Sequence, residues 1–410
     1  TLSGTNGVLT TSGAPGALLT DANGTAYGML ATNSATTVTD FAAKSATGSW
    51  IAAPAYTASA AATASYALSL TGGATTLGST TVTVASTTGL VVGAAISGPG
   101  IPVGATIVTI GTGTMTISAA ATATNTAQTY SVAPNVNLAE TNTSNWTTQT
   151  INSLRNVATT TNGTTLTIAT GSTLTIATGA ILYGTAVGGN STITGGTIVP
   201  GLGKELVVFA NGGKSLTINS VLADSASGAS DVTFRGLVGV GAGSNDVLIG
   251  SNNTYSGNTY ISGARVRISS VSVTSPFGTG ANGNVYIYGN NGGQFMLGDG
   301  GSAYTVSRNW YVIGNGWEES SSQPGAFHGV IRLGNNANLG GTLNLMGDAG
   351  IRATGAEAII SAKLFGNYNL TARSGWGDGT IRFTADNTGW AGSYHLGSGP
   401  YRSASPANLP

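Results

Sequence analysis

The sequence predicts an all-β protein, a right-handed parallel β-helix with a small inserted β-module near its N-terminus. Three observations predict it. Glycine supplies 64 of 410 residues, roughly twice the usual share, and is dispersed with Asn among Val, Ile, Leu and Thr, as in many short strands joined by tight turns. An eight-residue segment is duplicated at once, "TLTIATGS" then "TLTIATGA", over residues 165–180. Finally, "NNTYSGNTYISGARVRIS" at 252–269 has room for two short strands bent at Gly257 and Gly263, and no apolar recurrence at helical spacing. Units this short cannot bury their own apolar face and must stack on copies of themselves.

Residues 1–70 are expected to form the first coils. Residues 71–133 break the pattern: "TVTVAS", "ATIVTI" and "TMTISA" are three alternating strands separated by Gly-Pro and Gly-Thr-Gly turns, with no charged residue. They read as a small inserted β-module, although three irregular coils would alternate in the same way. Residues 134–400 read as the main β-helix, with about twenty residues per coil. In the duplicated segment Leu166, Ile168, Leu174 and Ile176 are expected to point inward and stack in parallel, with Gly171 and Gly179 closing each unit. In "RVRI" the alternation places Val266 and Ile268, with Tyr260, on the buried face and Arg265 and Arg267 on the wet one. Arg308, Arg332, Arg352 and Arg373 recur at 24, 20 and 21 residues, as if each marked one place on successive coils. Residues 401–410, rich in Pro and Ser, are expected to be a flexible tail. Right-handedness follows from the general rule for crossovers between parallel strands.

Charge excludes some functions. The chain carries 14 basic and 14 acidic residues, so no net field draws it to nucleic acid or an anionic membrane. Only Asp21, Asp40, Lys44 and Glu140 are charged in the first 150 residues, and a surface with so little repulsion favours self-association. Cysteine is absent, which fits an extracellular or cell-surface location. No apolar run is long enough to span a bilayer as a helix, and Thr1 opens no signal peptide, so a leader is expected to have been removed or never present.

The segment at 252–269 is similar to the passenger-associated repeat of bacterial autotransporters. Asn253, Thr254, Tyr255, Ser256, Gly257, Asn258 and Thr259 match its opening, and Ile261, Gly263, Val266 and Ile268 its strands. "SPFGTGANGNVYIYG", Ser275 to Gly289, resembles the follow-on segment, and "DNTGWAGSYHLGSG" resembles a second copy, with Asn387, Thr388, Gly392, Tyr394 and Gly399 in register. Asn258, Arg265 and the inserted Trp390 depart from the usual pattern. Residues 39–57 look like the early coils of such passengers. The resemblance implies an exported β-helix at the cell surface; it says little of activity.

Chemistry is sparse. Glu318 and Glu319 are adjacent, while Asp378 and Asp386 sit beside glycine or asparagine in turn-like segments, so neither pair reads as an acid–base dyad. His328 and His395 are the only histidines and lack partners at metal-ligand spacing. No nucleophile elbow, calcium nonapeptide or phosphate loop is present. No enzyme activity, cofactor or metal is expected. Trp310, Trp317, Trp376 and Trp390 are candidate interaction residues, since exposed aromatic rings stack on sugars or anchor interfaces, and the irregular stretch 311–329 is the preferred place for a site. The chain therefore reads as an extracellular structural or adhesive protein that assembles with itself into a surface fibre or layer. A glycan-binding or glycan-cleaving β-helix is the alternative.

Overall fold

The computed structural model describes residues 29–31, 38–44, 50–52, 56–60, 63–138, 141, 145–156, 163–184, 189–210, 214–236, 246–268, 270, 272–281, 283–298, 304–317, 327–354, 356–373, 379–396 and 401–403. Their regular elements are strands, apart from one short 3-10 turn at Gly289–Asn291. The chain divides into two compact units. The first comprises Thr1–Gly189, Ile193–Phe209 and Ser225–Gly228; the second comprises Asn190–Thr192, Ala210–Asp224 and Ala229–Pro410. Each is built of parallel coils, so the chain is a parallel β-helix.

In the second unit, three parallel ladders run side by side. Sheet A takes Val232–Arg235, Thr259–Ser262, Asn284–Tyr288 and the latter half of Tyr304–Gly314, then continues through Ala337–Ala353 to Lys363–Phe365. Sheet B takes Leu216–Ile218, Asp246–Ile249, Arg265–Ile268, Gln294–Leu297 and Ile331–Leu333, then the end of Ala337–Ala353, Asn369–Arg373 and Ser393–Leu396. Sheet C joins Ala337–Ala353 to Glu357–Ile360, Thr380–Phe383 and Tyr401–Ser403. The 17-residue strand Ala337–Ala353 passes through all three sheets, turning at Gly341, whose φ of +90° only glycine adopts without strain.

Parallel register makes each inward position a column. Val232, Thr259, Val285, Trp310, Leu343 and Leu364 form one, and every member is buried. Burying each aliphatic side chain stabilises by roughly 1.5–3 kcal/mol, but only once a neighbouring coil covers it. The rungs of that column lie 27, 26, 25, 33 and 21 residues apart, longer than the expected twenty because corner loops lengthen several coils.

In the first unit, Tyr56–Ala58, Asn135–Asn137, Ser153–Asn156 and Ala180–Tyr183 form a parallel ladder, and Gln149–Ile151, Thr173–Ile176 and Thr197–Pro200 form another. Residues 29–52, expected as coils, instead make an antiparallel sheet of Met29–Ala31, Val38–Lys44 and Trp50–Ala52. It packs through Phe41, whose ring meets Phe209 at 6.2 Å, and through Asp40, which receives Arg155 Nη1 at 2.6 Å and the Tyr56 hydroxyl at 2.8 Å. Ala180–Tyr183 and Leu206–Ala210 are buried at every position, as strands covered on both faces must be.

Residues 68–132 form six antiparallel strands around their own core, which includes Val82, Ile96, Ile107, Met115 and Tyr130. The three strands expected there are present as Thr81–Thr83, Ile107–Gly111 and Thr114–Ile117. The sheet closes on itself, since Ile96 N–H donates to the Ala105 carbonyl at 3.0 Å and Ile107 N–H to the Ala94 carbonyl at 2.9 Å.

Four further details differ from expectation. Leu166, Ile168, Leu174 and Ile176 all point inward, but the duplicated segments belong to different sheets and do not stack on each other. Tyr260 lies on the outward face, because Thr259 and Ile261 take the buried positions. Arg332, Arg352 and Arg373 are in register, whereas Arg308 faces Gly341 on another sheet. Tyr401–Ser403, expected in the flexible tail, is a paired strand.

Candidate interaction surface

The repeat-motif residues are joints between coils. Asn253 is fully buried; its Oδ1 accepts Leu222 N–H at 2.8 Å and its Nδ2 donates to the Pro276 carbonyl at 2.7 Å. Thr254 N–H donates to the Leu222 carbonyl at 2.9 Å. The Tyr255 hydroxyl meets Thr259 Oγ1 at 2.6 Å in the core, and burial holds its ionisation well above the ordinary value. A Cβ at Gly257 would collide with the Ser230 carbonyl, and one at Gly263, where φ is +70°, with that of Gly236. The second copy repeats the design. Asn387 Oδ1 accepts Leu364 N–H at 2.9 Å, and a Cβ at Gly392 would collide with the Tyr368 carbonyl.

The outward face of sheet A carries two columns that the sequence reading missed. Tyr260, Tyr286 and Tyr311 lie in register, with ring centroids 5.1 and 4.8 Å apart and interplanar angles of 14° and 22°. Beside them, Asp231 accepts Asn258 N–H at 2.7 Å, Asn258 Oδ1 accepts Asn284 N–H at 3.1 Å, Asn284 accepts Asn309 Nδ2 at 3.3 Å, and Asn309 accepts the Thr342 hydroxyl at 3.1 Å. The signal was available: "DVTFRG", "NTYISG", "NVYIYG" and "NWYVIG" at 231, 258, 284 and 309 share an opening Asp or Asn, an apolar fourth residue and a closing Gly. Their unequal spacing concealed it. Through Asn344 the tyrosine column ends at Phe365.

Three of the four candidate tryptophans are internal. Trp310 stacks on Phe295 at 5.2 Å and donates its indole N–H to the Gly340 carbonyl at 2.9 Å. Trp317 is buried with Arg265 5.7 Å from its ring centroid, and Trp390 is buried against Tyr394 at 4.9 Å. None presents a wide ring face to solvent. Trp376 lies outside the described residues, as do Glu318, Glu319 and Asp378.

Arg265, read as wet, is buried on sheet B. It grips Asp246 with Nε at 2.6 Å and Nη2 at 2.8 Å, and Arg267 adds Nη1 at 3.1 Å. A carboxylate this deep in the protein is stable as an ion because two guanidiniums neutralise it. His328 contacts Arg352 through a ring nitrogen. Asp386 is exposed and accepts the Thr388 N–H at 3.0 Å and hydroxyl at 2.6 Å, a turn function that also lowers its pKa. His395 is an exposed residue of sheet B. Among the described residues no three His, Cys, Asp or Glu gather as metal ligands, and no helix is long and apolar enough to cross a membrane.

Two hollows remain. In the first unit a cleft of about 600 Å³ is lined by Thr148, Thr150, Thr175 and Lys204 from the coils and by Ile96 and Thr106 from the antiparallel barrel. The Gln149 amide on its wall is already used, accepting Tyr66 N–H at 2.8 Å and donating to the Ala64 carbonyl at 3.0 Å. In the second unit a pocket of about 450 Å³ lies between Lys363–Asn367 and Asn387–Ala391. No family model, curated protein or solved structure matches the chain.

Proposed function

We propose that the chain is an extracellular structural and adhesive protein of a cell surface, which associates with itself into a fibre or layer through strand edges. One observation carries this reading: the repeat residues Asn253, Gly257, Asn387 and Gly392 are spent on fastening coil to coil. A chain that commits its repeated polar residues to stacking is built for rigidity along the stack. Parallel coils leave strand edges at their ends, which strand addition can pair, and the balanced, sparse charge offers little repulsion to association.

Electron microscopy of the purified chain tests the proposal. Filaments or sheets with a regular axial repeat are the expected result. Monodisperse particles at high concentration, or particles that shorten a polysaccharide, would overturn it.

A further inference from the structure

The pocket between Lys363–Asn367 and Asn387–Ala391 opens where the second repeat copy departs from the first. Tyr255 in "NTYSG" is replaced by "Gly389-Trp390" in "NTGWAG", and Gly389, at φ +86°, has open space where a side chain would stand. Trp390 lines the pocket; it is 7% exposed, and its indole N–H has no acceptor among the described residues. Phe365, also lining it, is 43% exposed.

That exposure is unusual within its own column. Tyr260, Tyr286 and Tyr311 stack on one another, so the middle ring has both faces covered. Phe365 follows Asn344 and has no aromatic ring on the rung before it. An accessible aromatic ring rimmed by hydrogen-bonding groups is the chemistry that holds a pyranose: apolar C–H groups lie on the ring while hydroxyls reach the rim. Lys363, Asn367 and Thr388 supply the rim. The pocket's volume lies in the range of small-ligand sites, roughly 300–1,000 Å³, too small to seat a folded partner. Lys363 is balanced by Asp386, which feels its charge, so the surroundings are close to neutral.

We propose that this pocket binds a neutral sugar ring of a surface glycan, with Phe365 as the stacking platform and Lys363, Asn367 and Thr388 as the polar rim. The inference deepens the adhesive half of the proposed function and is independent of the assembly half.

Calorimetric titration of the full chain with maltohexaose, cellohexaose and chitohexaose tests it, with oligogalacturonate as the acidic comparison. At least one neutral hexasaccharide should saturate. Phe365→Ala should weaken it about tenfold or more, corresponding to the loss of one stacking contact, while Phe365→Trp retains binding and both variants melt as the parent does. The proposal fails if none of the three neutral saccharides binds, if oligogalacturonate binds more tightly than all of them, or if Phe365→Ala leaves binding unchanged. Imaging the same variant separates the two readings. Filaments that persist without sugar binding support the pocket, whereas filaments lost with Phe365→Ala assign this face to contact between copies and overturn it. Sugar binding by a parent chain that forms no filaments would sink the assembly reading alone.

Discussion

Asn253 and Asn387 perform one task at two places in the fold: the side-chain oxygen of each accepts a backbone N–H from the preceding coil, Leu222 at 2.8 Å and Leu364 at 2.9 Å. Both amides are buried, so water cannot replace the bond. Asn253→Ala should destabilise the second unit by roughly 2–5 kcal/mol, because Leu222 N–H and the Pro276 carbonyl both lose their partner in the interior. Denaturant unfolding checks it. A change under about 0.5 kcal/mol would show that the joint does not hold the coils.

Glycine substitutions separate backbone strain from coil contact. Gly171 and Gly263 both have positive φ, +76° and +70°, but a Cβ at Gly171 meets open space and one at Gly263 meets the Gly236 carbonyl. Gly171→Ala is expected to cost about 1–2 kcal/mol from conformation alone. Gly263→Ala should cost more, because neighbouring coils must separate to admit the methyl group. Equal losses in thermal unfolding would remove the close-approach argument.

The Asp246–Arg265 pair should behave as a buried ion pair. Arg265→Ala strands a buried carboxylate and is expected to cost about 3–5 kcal/mol. The double variant Asp246→Leu with Arg265→Met should regain much of that stability, since an apolar pair of similar volume needs no desolvated charge. A double-mutant cycle in denaturant reads the coupling, and additive losses would contradict it.

Acid should weaken the fold in part through Asp348. Its carboxylate accepts Asn369 N–H at 2.9 Å and Nδ2 at 3.0 Å, and these bonds hold its pKa below the ordinary value of 3.8. A depressed folded value means that the stabilisation is present above the unfolded pKa and is lost as pH falls through the folded one. Melting curves between pH 6 and about pH 2 should therefore show a smaller acid-side decline for Asp348→Asn than for the parent chain. An identical decline would exclude this contribution.

The sequence by itself determined the class of fold, because alternating Val, Ile and Leu between glycines can be satisfied only by short strands stacked on their neighbours. Leu166, Ile168, Val266 and Ile268 are buried as their alternation requires, and the closed antiparallel barrel after residue 68 was visible as three strands without charge. Only the tertiary structure decided which polar residues meet. Arg265 and Arg267 have the same local pattern, yet one is buried on Asp246 and the other is partly exposed, since Asp246 comes from a neighbouring coil. The candidate tryptophans likewise lie inside because coils ahead of and behind them in the chain cover the rings. The tyrosine column and the pocket at Phe365 arise from register between rungs 21 to 33 residues apart. Local alternation sets which way a side chain points, but loop lengths between rungs set its neighbours, and those lengths vary too much to be read from the chain alone.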